Sequence, residues 1–412
     1  MAPARPGAKG LAMEETLRSY FWRAGYFVAR GLPYRLEGED VTDVDLWLYE
    51  RPAAATRHRC IVDIKNKRSP KATERVIWTA GLRQALRVDA AIVATTDRRP
   101  ATRRLARALD VAVLDGEAIS KLIRSPQAVS ESVLAGEEWD DLLRSVDSAR
   151  GATAWRDRVR SVRSSVLSDF GVRSGNNAMG AVIFFAQAAI EAQPRSKTAE
   201  AALRAVYACA GLAAVSLDFA LSDYAFSSTE DRARAISNGI RYGQTDDLDA
   251  LRNVRLAVGL ARDFAQNGKA VARQIEGAFL QAADEIAAEI VADYVARQSS
   301  AEALFAAART LEEASTSRAL VGFDGLTTAA KSMLGVLLDF GGISREALAM
   351  AGPSVLKGKA GEIKHSSAAD EVSTGSPTEG VSQGKNSTTP QLIDADNNRP
   401  ASLFPTDTDQ PP

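Results

Sequence analysis

Hydrophobic periodicity in this chain changes character once, near residue 125, and that change limits the folds open to it. Before it, short runs of β-branched and aromatic residues alternate with helical patterns. After it, as far as about Leu356, the pattern is almost wholly helical and alanine-rich. In the first stretch the spacing predicts a helix from about Ala12 to Ala24, then a strand at Tyr26–Arg30. A hairpin is expected next, with strands near Val44–Glu50 and Arg59–Lys65. A helix from about Thr73 to Arg87, a buried strand at Ala90–Thr95, a helix near Pro100–Leu109 and a short strand at Val111–Leu114 complete it. An antiparallel hairpin followed by helical crossovers makes a mixed sheet flanked by helices.

The helical stretch reads as packed, partly buried helices at Asn177–Glu191, Thr198–Leu221, Leu248–Phe264, Val271–Arg297 and Ala301–Glu313. Three regions are therefore expected: an α/β domain over 11–125, an all-α domain over 130–356, and a disordered tail over 358–412. The tail is rich in Ser, Thr, Gly, Pro, Asp and Asn and poor in large apolar residues. No uninterrupted apolar run reaches the roughly 20 residues of a membrane helix, and Ala205–Leu217 reads as a buried core helix. The first ten residues lack the apolar core of a signal peptide, so the expected location is cytoplasmic, with no membrane partner.

Two histidines and two cysteines narrow the chemistry. Cys60 and Cys209 make neither a disulfide framework nor a zinc cluster, and only His58 is expected in an ordered segment. A metal in such a chain would be held by carboxylates, which suit hard cations such as magnesium or manganese. Net charge is −1, yet residues 1–125 carry 23 Lys+Arg against 15 Asp+Glu, a balance of +8, and the remainder is at −9. A basic first region suits a polyanionic partner, although a solvated arginine-rich surface would give the same count.

The informative segments are Val41–Tyr49 and Cys60–Lys67. Strand side chains alternate, so Asp63 and Lys65 share one face, and Asp45 starts the neighbouring strand. A hairpin with the eight-residue connection Arg51–His58 brings Asp45 beside Asp63. Two converging carboxylates repel, and a divalent cation relieves that repulsion. On the first helix Glu14 shares a face with Leu17 and Phe21, which turns it inward. Glu15 goes with Arg18, Ser19 and Trp22, a more solvent-like set, and Glu14 is preferred. Asp43 shares the strand face of Asp45 and is the weaker choice.

Glu14, Gly25-Tyr-Phe-Val, Asp45 and Asp63-x-Lys65 together resemble the PD-(D/E)XK nuclease superfamily, closest to Mrr-like restriction endonucleases and Holliday-junction resolvases. The resemblance covers roughly residues 11–120. It implies a restriction-endonuclease-like sheet and magnesium-dependent hydrolysis of DNA phosphodiester bonds. Asp45, Asp63 and the Ile64 carbonyl would be metal ligands, Glu14 would hold a metal-bound water or a second ion, and Lys65 would act on the attacking water and the transition state. It also points to Gln84, on the helix after the motif strand, as a residue facing the metal.

A homodimer that cuts both strands is a further expectation, as is a protein partner on the helical region. A two-part restriction or phage-defence protein, with the helices as sensor or oligomerisation module, would fit. The competing reading is a catalytically silent nucleic-acid-binding or assembly protein. Among other residues, Trp47 and Trp78 are expected in the core and His58 in an ordinary loop. Asn66, Lys67, Arg68 and Lys71 suit phosphate contacts or solvent equally. The cluster Arg98, Arg99, Arg103 and Arg104 sits at a helix start, an awkward place for cations that phosphate binding would explain, though exposed arginines often need no explanation.

Overall fold

The computed structural model describes residues 8–65, 71–124, 132–150, 154–246, 251–298 and 303–353. The expected tail over 358–412 lies outside them, as do Asn66, Lys67 and Arg68. The first region runs α1 (Ala8–Arg23), β1 (Phe27–Leu36), β2 (Glu39–Glu50), β3 (His58–Lys65), α2 (Ala72–Leu86), β4 (Ala90–Thr95), α3 (Pro100–Ala108), β5 (Ala112–Leu114) and α4 (Gly116–Arg124). The strands form one five-stranded sheet in the order β1-β2-β3-β4-β5. β1, β2 and β3 pair antiparallel, while β4 and β5 add in parallel after the crossovers α2 and α3. This is the expected mixed sheet flanked by helices.

One hairpin was not legible. β1 continues past Arg30 to Leu36 and turns directly into β2 through Glu37-Gly38, both at positive φ (50° and 90°). Two left-handed residues between the paired Leu36 and Glu39 make the turn type that best matches strand twist. Gly31 and Pro33 break the apparent strand pattern, but β1 is an edge strand and tolerates a proline on its open side.

The helical region continues with α5 (Gly136–Arg150), α6 (Ala154–Ser168), α7 (Val172–Glu191), α8 (Lys197–Ala220), α9 (Thr229–Tyr242), α10 (Arg252–Phe264), α11 (Gly268–Asp284), α12 (Ala288–Gln298), α13 (Ala303–Thr316), α14 (Thr328–Phe340) and α15 (Arg345–Ala351). The single helix expected over Val271–Arg297 is two, α11 and α12, divided after Asp284. α8 is the central helix, packed against α7 and α13 and mostly buried within the fold. By length and composition alone it is also long and apolar enough to cross a membrane.

The expected division into an α/β domain and a separate all-α domain does not correspond to two cores. The described residues form one compact unit, and one apolar cluster runs from Trp47, Ile61 and Val93 of the sheet to Phe185, Leu203 and Leu311 of the helices. Leu46, Trp47, Leu48 and Tyr49 are four consecutive residues of β2 and all are fully buried, which requires cover on both faces of the strand. α1 packs against β1, β2 and β3. The helical region covers the Trp47 and Tyr49 side, where Phe170 meets both rings at 4.9 and 5.7 Å and Phe305 meets Tyr49 at 5.9 Å.

Polar contacts fix this docking. Asp218 near the end of α8 accepts a 2.5 Å hydrogen bond from the Tyr49 hydroxyl and pairs with Arg57 at 2.6 Å and Arg51 at 3.4 Å. Arg18 of α1 pairs with Glu312 of α13 and donates to Thr316 at 2.8 Å. Removing one member of a buried charged set leaves its partners unpaired, which costs about 3–5 kcal/mol. Asp218→Ala is therefore expected to destabilise the chain by about that amount in a denaturant titration. A fragment ending at residue 125 lacks Phe170, Asp218 and Phe305, and no cooperative melt is expected for it by circular dichroism.

Candidate active site

The ladder between β2 and β3 ends at the pair Leu46 and Val62. One step beyond it stand Asp45 and Asp63, where the strands part. The Asp45 carboxylate takes over there, its Oδ2 accepting the Ile64 backbone N–H at 2.6 Å. Burial pushes the Asp45 carboxyl above its ordinary pKa, the Ile64 hydrogen bond opposes this, and the charge of Asp63 adds to it. Lys65 and Arg75 also act on Asp45, both lowering its pKa. Beyond the fork β3 still pairs with β4, placing Lys65 beside Thr95.

Glu14 approaches from α1. Its pKa is raised from 4.5 to about 7, chiefly by burial and next by the charge of Asp45, with Arg30 opposing and Glu15 and Asp140 contributing. Glu14, Asp45 and Asp63 therefore form a chain of interacting carboxylates with Lys65 at its Asp45–Asp63 end. Glu15 is not the solvent-facing residue that its helical neighbours suggested. It is half-buried, paired with Arg30 of β1, and accepts the Gly136 backbone N–H at 2.9 Å. Arg18, counted there as a solvent-side neighbour, is itself buried against Glu312.

Asp63 has a partner the sequence did not suggest. Arg75, in the first turn of α2, donates from Nε to Asp63 Oδ2 at 2.9 Å and from Nη2 to Oδ1. The signal was topological: a crossover helix after β3 begins near that strand's C-terminal end, where Asp63 lies. Among the described residues no three His, Cys, Asp or Glu side chains stand together as a group able to hold a metal. Asp63 is engaged by Arg75, and one oxygen of Asp45 by Ile64.

Gln84 does not join these residues. It is exposed on α2, nine positions after Arg75 and so turned about 180° away around the helix. Asp43 is exposed on β2. Trp47 is in the core as expected, whereas Trp78 is 44% exposed, with the Arg75 guanidinium 5.9 Å from its ring. His58 opens β3 and lies 3.2 Å from Glu50. In the arginine cluster at α3, Arg99 pairs with Asp97 at 2.7 Å and Arg103 with Asp115 at 3.3 Å, which offsets cations at a helix start. A cavity of about 370 Å³ lies apart in the helical region, between Asp169, Phe170, Arg173, Phe219 and Asp223.

A scan against protein-family models and searches of curated proteins and of solved structures return no match to this chain.

The Glu14 shift gives a pH test. Because the folded-state pKa lies above the unfolded value, the folded chain keeps a proton that the unfolded chain releases between about pH 4.5 and 7. The associated stability is full below pH 4.5 and is lost as pH rises through 7. Glu14→Gln removes that loss. It is expected to stabilise the protein by on the order of 2–3 kcal/mol at about pH 8 and by little at about pH 4. Thermal melts of wild type and variant at both pH values check this.

Proposed function

We propose that the chain is a metal-dependent DNA endonuclease whose first region is a restriction-endonuclease-like core. The observation that carries this reading is the Asp45 carboxylate at the strand fork, in electrostatic contact with Glu14 on one side and with Asp63 and Lys65 on the other. The charge of Asp45 raises the pKa of Glu14, and that of Asp63 raises Asp45, within a half-buried, oxygen-rich anionic site, and this donor set suits magnesium or manganese. Asp45, Asp63 and the Ile64 carbonyl would hold the ion, with Glu14 beside them. The bound ion would supply Lewis-acid polarisation of a phosphodiester and a more acidic water.

The chain's own groups account for the other requirements. Lys65 brings a positive charge to the place where negative charge grows on a phosphate under attack. Glu14 stands beside the other carboxylates, where its oxygens can hold a metal-bound water or accept its proton. The +8 balance of residues 1–125 favours a polyanionic substrate. The helical region shares the core of the sheet, and we assign it the role of holding this site in shape and offering surface for a partner or a second copy.

One observation favours the silent, DNA-binding reading: Arg75 already satisfies both oxygens of Asp63. A cleavage assay separates the two. Supercoiled plasmid is expected to be nicked or linearised with magnesium and left intact with chelator. Asp45→Asn, Asp63→Asn and Lys65→Ala should each lower the rate by about a hundredfold or more while DNA binding persists. Equal rates for wild type and all three variants would sink the assignment. Magnesium-independent DNA binding with no cleavage would support the silent reading.

A further inference from the structure

Arg75 meets Asp63 with two nitrogens, so a single guanidinium occupies both carboxylate oxygens that a divalent cation would use. The two partners differ in exposure. The Arg75 side chain is 27% exposed and that of Asp63 is 10%, so the cation is the member that faces solvent. Three residues on, Trp78 is 44% exposed, with its ring centroid 5.9 Å from the Arg75 guanidinium. An exposed indole face can carry a guanidinium that has let go of a carboxylate. The fork of a planar guanidinium also fits a phosphate as well as it fits a carboxylate.

We propose that Arg75 stands in for the metal ion at Asp63 while the protein is free of DNA, and that a DNA phosphate draws it away. The inference rests on the nuclease reading above. The exchange makes and breaks no covalent bond: the guanidinium passes from carboxylate to phosphodiester, and the freed carboxylate passes from a monovalent to a divalent cation. Metal and DNA are then taken up together. Divalent ions bind weakly to the free protein and more tightly to the DNA complex, and by thermodynamic reciprocity the metal strengthens DNA binding by the same factor. Arg75 is thus both a keeper of the resting site and a phosphate contact in the loaded one.

Calorimetric titration of the full chain with Ca²⁺, with and without a short DNA duplex, tests this on wild type, Arg75→Ala, Arg75→Lys and Asp63→Asn. Circular dichroism establishes that each variant is folded. Without DNA, Arg75→Ala should bind Ca²⁺ about tenfold tighter than wild type, because a charge-assisted competitor is gone. Arg75→Lys should fall between them, and the gain in Ca²⁺ affinity on adding duplex should shrink in Arg75→Ala. Asp63→Asn should lose Ca²⁺ binding in both conditions. Should Arg75→Ala bind Ca²⁺ no tighter than wild type while Asp63→Asn loses it, the metal site stands and the role given to Arg75 falls. Absence of Ca²⁺ binding by every protein, with duplex present, overturns the nuclease reading together with this inference.

Discussion

Strand β2 is buried on both faces, and most of the architecture follows from that. Leu46 and Leu48 point one way, Trp47 and Tyr49 the other, and none touches solvent. Large aromatic side chains contribute about 1.5–3 kcal/mol each when fully buried, so a sheet that left Trp47 and Tyr49 uncovered would forgo much of its stability. α1 covers the first side; Phe170 and Phe305 of the helical region cover the second. The buried Tyr49–Asp218–Arg57 contacts set the register of that docking. Apolar area supplies the driving force there, and the charged set decides which arrangement of the two layers is accepted.

The same strand passes through the candidate site. Where β2 parts from β3, the Ile64 N–H needs an acceptor, and the Asp45 side chain provides it. This bond orients Asp45 and keeps it near Asp63, at the cost of crowding negative charge into a half-buried place. Arg30, Lys65 and Arg75 stand around that charge, yet the pKa values of Glu14 and Asp45 remain raised. Burial is the largest cause of both shifts and the neighbouring carboxylate adds to it; a further cation would favour the charged form of each.

The helical region also reaches the site directly. The Gly136 N–H at the start of α5 holds Glu15, the neighbour of Glu14, and the charge of Asp140 on the same helix bears on Glu14. α5 thus shapes the electrostatics of a residue nearly the whole sheet layer away in sequence. A reading of the chain as an α/β domain followed by a separate all-α domain misses this connection, because both layers bury β2 and bear on Glu14.

Period and residue chemistry, which are local properties, were legible from sequence. Alternation placed Asp63 and Lys65 on one face and the strand and helix order predicted the mixed sheet, whereas the helical faces of α1 misplaced Glu15, which Arg30 and the Gly136 N–H hold. The β1–β2 turn at Glu37-Gly38 escaped because Gly31 and Pro33 mask an edge strand. Arg75, Gln84 and Trp78 lie on one exposed-looking helix, and periodicity alone does not say which of them meets β3. Only the crossover geometry puts Arg75 on Asp63 and turns Gln84 away. Likewise, the acidic and basic halves of the sequence look like separate domains, since composition cannot show that Trp47 and Tyr49 require cover from residues more than a hundred positions later. The sequence by itself determined most of the elements of the sheet region and pointed to the candidate carboxylates. Tertiary packing decided which cation holds Asp63, and that sheet and helices share one core, because both depend on contacts between residues far apart along the chain.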